Sequence, residues 1–171
     1  MSGGLVKMDA AQFSPLHLAW ADVAARIGAA LLLSLAIGLE RYLHKKPVDF
    51  RPFAIIALAS ASLSLSIVEF ARSAADGSFS IDPAKVMSGI MTGIGFLGAG
   101  ALFRQDDVVQ GAGSAASIWA AGAIGIVCGL GQLWLAAVLA AAILLLLIAG
   151  RPFTDRWTIR ASDPEKTDDD A

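Results

Sequence analysis

The sequence predicts an all-α integral membrane bundle of five transmembrane helices with its glycine-rich third helix at the centre, and three observations carry that expectation. The 171 residues are 56% hydrophobic and 16% charged, with a mean hydropathy of +0.66, against about 45–50% apolar and about 25% charged for a soluble domain. Charged residues crowd into a few short segments and leave long runs with none, so the apolar surplus comes in blocks. Five blocks, residues 23–39, 53–70, 86–103, 112–127 and 133–150, approach the ~20 residues a helix needs to cross lipid. They divide the chain into an extracytoplasmic segment (1–22), a five-span domain (23–150) and a cytoplasmic acidic tail (151–171).

The first span follows a segment without a basic start leading directly into an apolar run, and no small-residue cleavage site follows it. It is therefore expected to stay in the mature protein. In the second, "ASASLSLSIVEF", serines alternate with apolar residues as in a half-buried strand. A lone strand leaves its backbone unpaired in lipid, so a helix is expected, with Ser62, Ser66 and Glu69 on one face and Ser60 and Ser64 on another. The third span opens with "IDPAKV": Asp82 is placed to cap free backbone N–H groups, and Pro83 suits the first helical position. The fourth is joined to the fifth only by "CGLGQ", which predicts an antiparallel hairpin.

"GIMTGIGFLGAG", residues 89–100, contains G-x-G-x-x-G at Gly93, Gly95 and Gly98. A dinucleotide-binding turn needs a strand before it, a helix after it and an acidic residue about 20 positions on. The stretch lies instead inside an apolar run, glycine, serine and alanine surround Gly113, and no G-K-[ST] follows. On a helix, Gly89, Gly93 and Gly100 fall within about 40° of each other, while Ser88, Thr92, Gly95 and Ala99 form a second face. Two small-residue faces permit close approach by two neighbours, hence the central position expected for this helix. Ser114, Ser117, Ala121 and Gly125 supply a matching stripe on the fourth span.

Orientation follows from Lys and Arg, which are enriched in cytoplasmic loops. Arg41, Lys45, Lys46, Arg51, Arg104 and the four basic residues of the tail fall on one side, against Lys7, Arg72 and Lys85 on the other, with Arg26 free to reach outward. The N-terminus is thus expected outside and the C-terminus inside, with Trp20 and Trp134 at the outer interface and Trp157 at the inner one.

The net charge of −2 advertises no nucleic-acid partner. The single cysteine, Cys128, supports neither a disulfide framework nor a thiolate metal site and is expected to be a buried, inert thiol. His17 and His44 stand alone, and no histidine lies at membrane depth to activate a serine, so neither enzyme function nor a cofactor is expected. Magnesium prefers oxygen ligands and keeps several waters. Carboxylates for it lie at both ends, Glu40, Asp49, Asp106 and Asp107 inside and Asp22, Glu69, Asp76 and Asp82 outside, with none in mid-span, where carriers commonly place ionisable groups. Ser62, Ser66, Thr92, Ser114 and Ser117 read either as helix glue or as a hydroxyl-lined ion path. Glu40 and Arg41, near Arg51 and Arg104, read either as interfacial anchors in an ion pair or as a charged vestibule that binds an ion or a partner.

"IGLERY" at residues 37–42, "DPAKVMSGIMTGIGFLGAGALFR" at 82–104 and "GAGSAASIWAAGAIG" at 111–125 resemble, in order and spacing, the MgtC/SapB family of bacterial inner-membrane proteins. The resemblance runs from about residue 23 to 150. It implies a five-span protein of the cytoplasmic membrane associated with magnesium limitation, and recurrence of G-L-E-R in the family puts the vestibule on an equal footing with the interfacial anchor. Some members regulate other membrane complexes, and the name also carries an association with magnesium transport. Longer relatives add a small cytoplasmic domain after the fifth span, and this chain resembles the shorter form. Departures from the pattern are Tyr42 for the usual Gln, Asp49-Phe50-Arg51-Pro52 for G-L-R-T, Gln110 for a basic residue, and Ser114-Ala115-Ala116 for Thr-Ala-Ala. Two functions stay open: a non-enzymatic regulator linked to magnesium homeostasis that docks on another inner-membrane complex, and a transporter or channel for Mg2+ or another small ion. The implied partners are the lipid bilayer, such a complex, a second copy of the chain and Mg2+.

Overall fold

The structure, a computed structural model, describes residues 14–44, 49–73, 82–105 and 108–150, with the backbone alone for 103–105 and 108–110. Five helices account for most of it: α1 (Trp20–Leu43), α2 (Arg51–Ser73), α3 (Pro83–Gly100), α4 (Ala112–Gly129) and α5 (Leu133–Ala149). The acidic tail with Trp157, and Asp76, Asp106 and Asp107, lie outside the described residues. Between α3 and α4 a short antiparallel hairpin pairs β1 (Phe103–Gln105) with β2 (Val108–Gln110), Arg104 opposite Val109. It takes up Phe103, assigned above to the end of the third span. The helix stops at Gly100, and its last turn tightens through Ala101 N–H to Gly98 O and Leu102 N–H to Ala99 O, both 3.1 Å.

Helices α1, α2 and α4 are long and apolar enough to cross a membrane, whereas α5 is apolar but shorter. At 17 residues it stands at the lower limit for a span. Helix α3 falls outside that group because glycine dilutes its hydropathy. The distribution of side chains is that of a protein solvated by hydrocarbon. Its core is made of small residues, Ala30, Ala57, Ala61, Ala121, Ala136, Ala140, Ser34, Ser60, Ser64 and Ser114, with Phe53, Ile37 and Ile124 as the large members. Leu32, Leu63, Phe96, Leu145 and Leu146 are more than half exposed, the reverse of what water imposes. Trp20 and Trp134 are exposed together at one end, where interfacial indoles belong.

The centre of the bundle is α4, which packs against α1, α2, α3 and α5. This corrects the central position expected for α3, which rests on α4 and only lightly on α2. The physical reason lies in where small residues find backbone to touch. A Cβ on Gly125 would run into Ala57 O, with Ala57 Cα and Ser60 Cβ at 2.9 Å, and one on Gly129 would run into Ala61 O, with Ser64 Cβ at 2.7 Å. The close seam is therefore Gly125-x-x-x-Gly129 of α4 against Ala57, Ser60, Ala61 and Ser64 of α2, a small-xxx-small packing. On α3, a Cβ at Gly89, Gly93, Gly95 or Gly100 would meet nothing within 4 Å. Only Ile94, seated on Gly122, and Gly98, where a Cβ would lie 3.5 Å from Ala115 O, are buried there. The stripe Ser114, Ser117, Ala121 and Gly125 is buried throughout.

Helix α1 spans α4 and holds both its ends. At the α4 C-terminus, Arg26 Nη1 donates to Gly129 O at 2.8 Å, where a cation also opposes the partial negative charge of the free carbonyls. Replacing Arg26 with Met keeps the stem and removes the donor. The expected loss is about 1.5 kcal/mol, read as a drop of about 4 °C in thermal midpoint in detergent; an unchanged midpoint would show that the bond contributes nothing.

Candidate functional site at the Arg41 end of the bundle

The other end of α4 lies beside Glu40 and Arg41, two of the ionisable groups singled out in the sequence. Helix α4 begins at Gly111, held left-handed at φ 88° and without a side-chain cap, so its first N–H groups carry a local positive potential. Arg41, in the last turn of α1, reaches this terminus: Nη2 lies 3.2 Å from Ser114 Oγ, and the guanidinium covers Gly113, where a Cβ would come within 3.0 Å of it. Arg41 Nε is buried without a hydrogen-bond partner among the described residues.

A cation at a helix N-terminus opposes the dipole, and the carboxylate of Glu40, which attracts Arg41 and is 9% exposed, supplies the compensating charge. His44 follows one turn on. Its Nδ1 lies 2.6 Å from Glu40 O and 3.6 Å from Glu40 Oε1. A carbonyl only accepts, so Nδ1 carries the proton and donates. Ser117 Oγ donates to Gly113 O at 2.6 Å, tying the stripe back to the turn under Arg41. The site thus consists of a buried carboxylate, a half-buried guanidinium and a helix N-terminus within one layer. With its guanidinium and helix N-terminus it has the chemistry to hold an anion or a carboxylate from a partner.

Arg51 is not drawn into this group: it is 75% exposed and pairs with Asp49 at 3.6 Å. Arg104 lies on β1, and its side chain is not among those described. Asp82 stands at the opposite end, capping α3 through Oδ1 to Ala84 N–H at 2.9 Å, with Pro83 as the first helical residue. Two departures from the family pattern meet here. The Tyr42 and Phe50 rings pack edge to face, 5.7 Å between centroids at 76°, closing the α1–α2 connection beside Gly38, whose missing Cβ leaves room for Phe50 O and the Phe53 ring at 3.0 Å. Ser114, placed in the packing stripe by its spacing, also faces Arg41; their separation of 73 residues leaves no local trace. Among the described residues no group of three or more His, Cys, Asp or Glu side chains is placed to hold a metal.

A model of the MgtC family matches residues 27–156. Among curated proteins the chain is similar to an uncharacterized protein of Haemophilus influenzae, 37% identical over 160 residues, covering 92% of this chain and 66% of that protein. It is similar also to Protein SapB of Bacillus subtilis, 33% identical over 112 residues, 64% of this chain and 48% of SapB. Protein MgtC of Salmonella typhimurium is 36% identical over 104 residues, 61% of this chain and 42% of MgtC. The alignments thus span from less than half to about two thirds of these relatives' length. No solved structure matches the chain.

Proposed function

Because the chain belongs to the MgtC family, we propose that it is a multi-pass protein of the bacterial cytoplasmic membrane that acts as a non-enzymatic regulator of another membrane complex linked to magnesium homeostasis. In this reading the N-terminus is outside and the Arg41 end faces the cytoplasm, on the strength of the basic residues gathered there. The observation that carries the reading is the placement of charge. Among the described residues, every Asp, Glu, Lys, Arg and His of the helices lies within about two turns of a helix end, and α4 and α5 contain none of these. Between those ends the core is closely packed and uncharged, mostly Ala, Ser and Ile with Phe53. A carrier commonly places ionisable groups at mid-depth; a docking protein needs only a stable bundle and a charged end.

The second reading, a channel or transporter for Mg2+ or another small ion, draws on the buried hydroxyls Ser34, Ser60, Ser64, Ser114 and Ser117. Of these, Ser64 Oγ has no hydrogen-bond partner among the described residues. Reconstitution into vesicles with a trapped magnesium indicator separates the two. The regulator reading expects no flux above protein-free vesicles. It also expects a defined complex to co-purify from native membranes and to be lost at least about tenfold in Arg41→Glu, the scale of reversing one desolvated interface charge. Flux abolished by Ser64→Ala or Glu40→Gln, with no complex recovered, would replace it by the second.

A further inference from the structure

The end of the bundle opposite Arg41 contains a second buried carboxylate that no role above absorbs. Glu69, one turn before the end of α2, is 9% exposed. Its Oε2 accepts from the backbone N–H groups of Leu16 at 2.6 Å and His17 at 2.9 Å, drawing the segment before α1 across the end of α2. Ser73 Oγ donates to Glu69 O at 3.0 Å, which leaves Ser73 to accept from His17 Nε2, also at 3.0 Å. Those bonds account for Oε2 and for the strap. The Leu18 N–H also lies close enough to the carboxylate to attract it, yet Oε1 is buried and makes no hydrogen bond of good geometry among the described residues. A charged acceptor in that condition is costly unless something supplies a donor.

Glu69 also lines a groove of about 450 Å3 whose other walls include Pro15, Leu16, Leu65, Ser66 and Phe70. Phe70 is 46% exposed and Leu63, on the same helix, 53%, so the groove opens on surface that the bundle turns toward hydrocarbon. Its walls suit an acyl chain, and its one ionised group selects a cation. A bound metal would want several oxygen or nitrogen ligands, and none of the candidate groups among the described residues cluster that way. Anionic headgroups are repelled by the carboxylate. What combines hydrocarbon with a compact hydrogen-bond-donating cation is a phospholipid bearing a primary ammonium. We propose that this groove is a binding site for such an aminophospholipid, with the ammonium donating to Glu69 and an acyl chain lying along Leu65 and Phe70.

The test uses the full chain purified in detergent, with phosphatidylethanolamine or phosphatidylglycerol added back and the thermal midpoint and retained lipid measured. Phosphatidylethanolamine is expected to raise the midpoint by about 5 °C more than phosphatidylglycerol does and to be the lipid retained. Glu69→Gln keeps an acceptor for Leu16 and His17 but removes the charge, and is expected to erase the difference. Should that variant fail to fold, Ser66→Trp decides: Ser66 is exposed, takes no part in the strap, and a tryptophan there fills the groove, again erasing the headgroup preference. Equal shifts from the two lipids in the unmodified protein overturn the proposal. So does a shift of the same size from Mg2+ without lipid that Glu69→Gln abolishes, which would mark a metal site, and so does a headgroup preference that survives both variants.

Discussion

Gly125→Leu is expected to abolish the folded bundle, whereas Gly93→Leu, four carbons added to a residue of the same type, is expected to leave it intact. At Gly125 the first added carbon already overlaps Ala57 O and stands 2.9 Å from Ala57 Cα. These are backbone atoms on the buried face of α2, which cannot swing aside as a side chain does. Separating α2 from α4 to admit a leucine opens the seam that buries Ala57, Ala61, Ser60 and Ser64. Overpacking alone costs about 1–3 kcal/mol, and the lost seam takes the total beyond about 3 kcal/mol, a large part of any domain's stability. At Gly93 a Cβ meets nothing within 4 Å, and leucine is the better helix former by about 0.5–1 kcal/mol. Monodisperse yield and thermal midpoint in detergent read both variants. Loss at Gly93 with tolerance at Gly125 would return α3 to the centre.

Gly111→Val is expected to destabilise by about 3 kcal/mol, again with a control nearby. The φ of 88° at Gly111 lies in the left-handed region, which a β-branched residue enters at a cost of about 1–3 kcal/mol. Its Cβ would also overlap Ala101 O, on the strand of chain that leads into the hairpin. The turn made by Gly111 delivers Ser114 to Arg41, so the same variant is expected to loosen that contact. Gly113→Ala serves as comparison: its Cβ meets the Arg41 guanidinium at 3.0 Å, the far end of a long side chain that can shift. That variant is expected to cost less than about 1 kcal/mol. Equal losses from the two would show that the left-handed turn is not what sets the start of α4.

Hydropathy and the D-P helix start were enough to place five helices, because crossing lipid demands a run of apolar residues whatever the neighbours are. Which helix stands in the middle was not legible in the same way. Both α3 and α4 bear small-residue stripes, and a stripe states that close approach is permitted, not that a partner is present. The deciding information was complementarity between distant segments: Ala57 and Ala61 share the four-residue spacing of Gly125 and Gly129, and only the fold brings them together. The alternation of Ser60, Ser62, Ser64 and Ser66 resolves on the helix into the two faces expected from its geometry, Ser60 and Ser64 buried and Ser62 and Ser66 exposed, although Glu69, expected beside Ser62 and Ser66, is buried. At the charged end, Glu40 and Arg41 stood out as adjacent charges closing an apolar run. The reach of Arg41 to Ser114 and the outward pairing of Arg51 with Asp49 depend on side-chain direction, which loop charge counts do not contain. The Glu69 strap was hidden for another reason: its donors are backbone N–H groups, and any residue could stand at positions 16 and 17 and supply them.

Amide hydrogen exchange across the five helices, measured on the unmodified protein in lipid nanodiscs, tests the placement of α4 most directly, since protection follows burial and packing within the bundle. Slowest exchange in α4, from Ala112 to Gly129, with α3, from Pro83 to Gly100, among the first helices to exchange, is the expected result. Protection that peaks in α3 and falls away in α4 would contradict the placement.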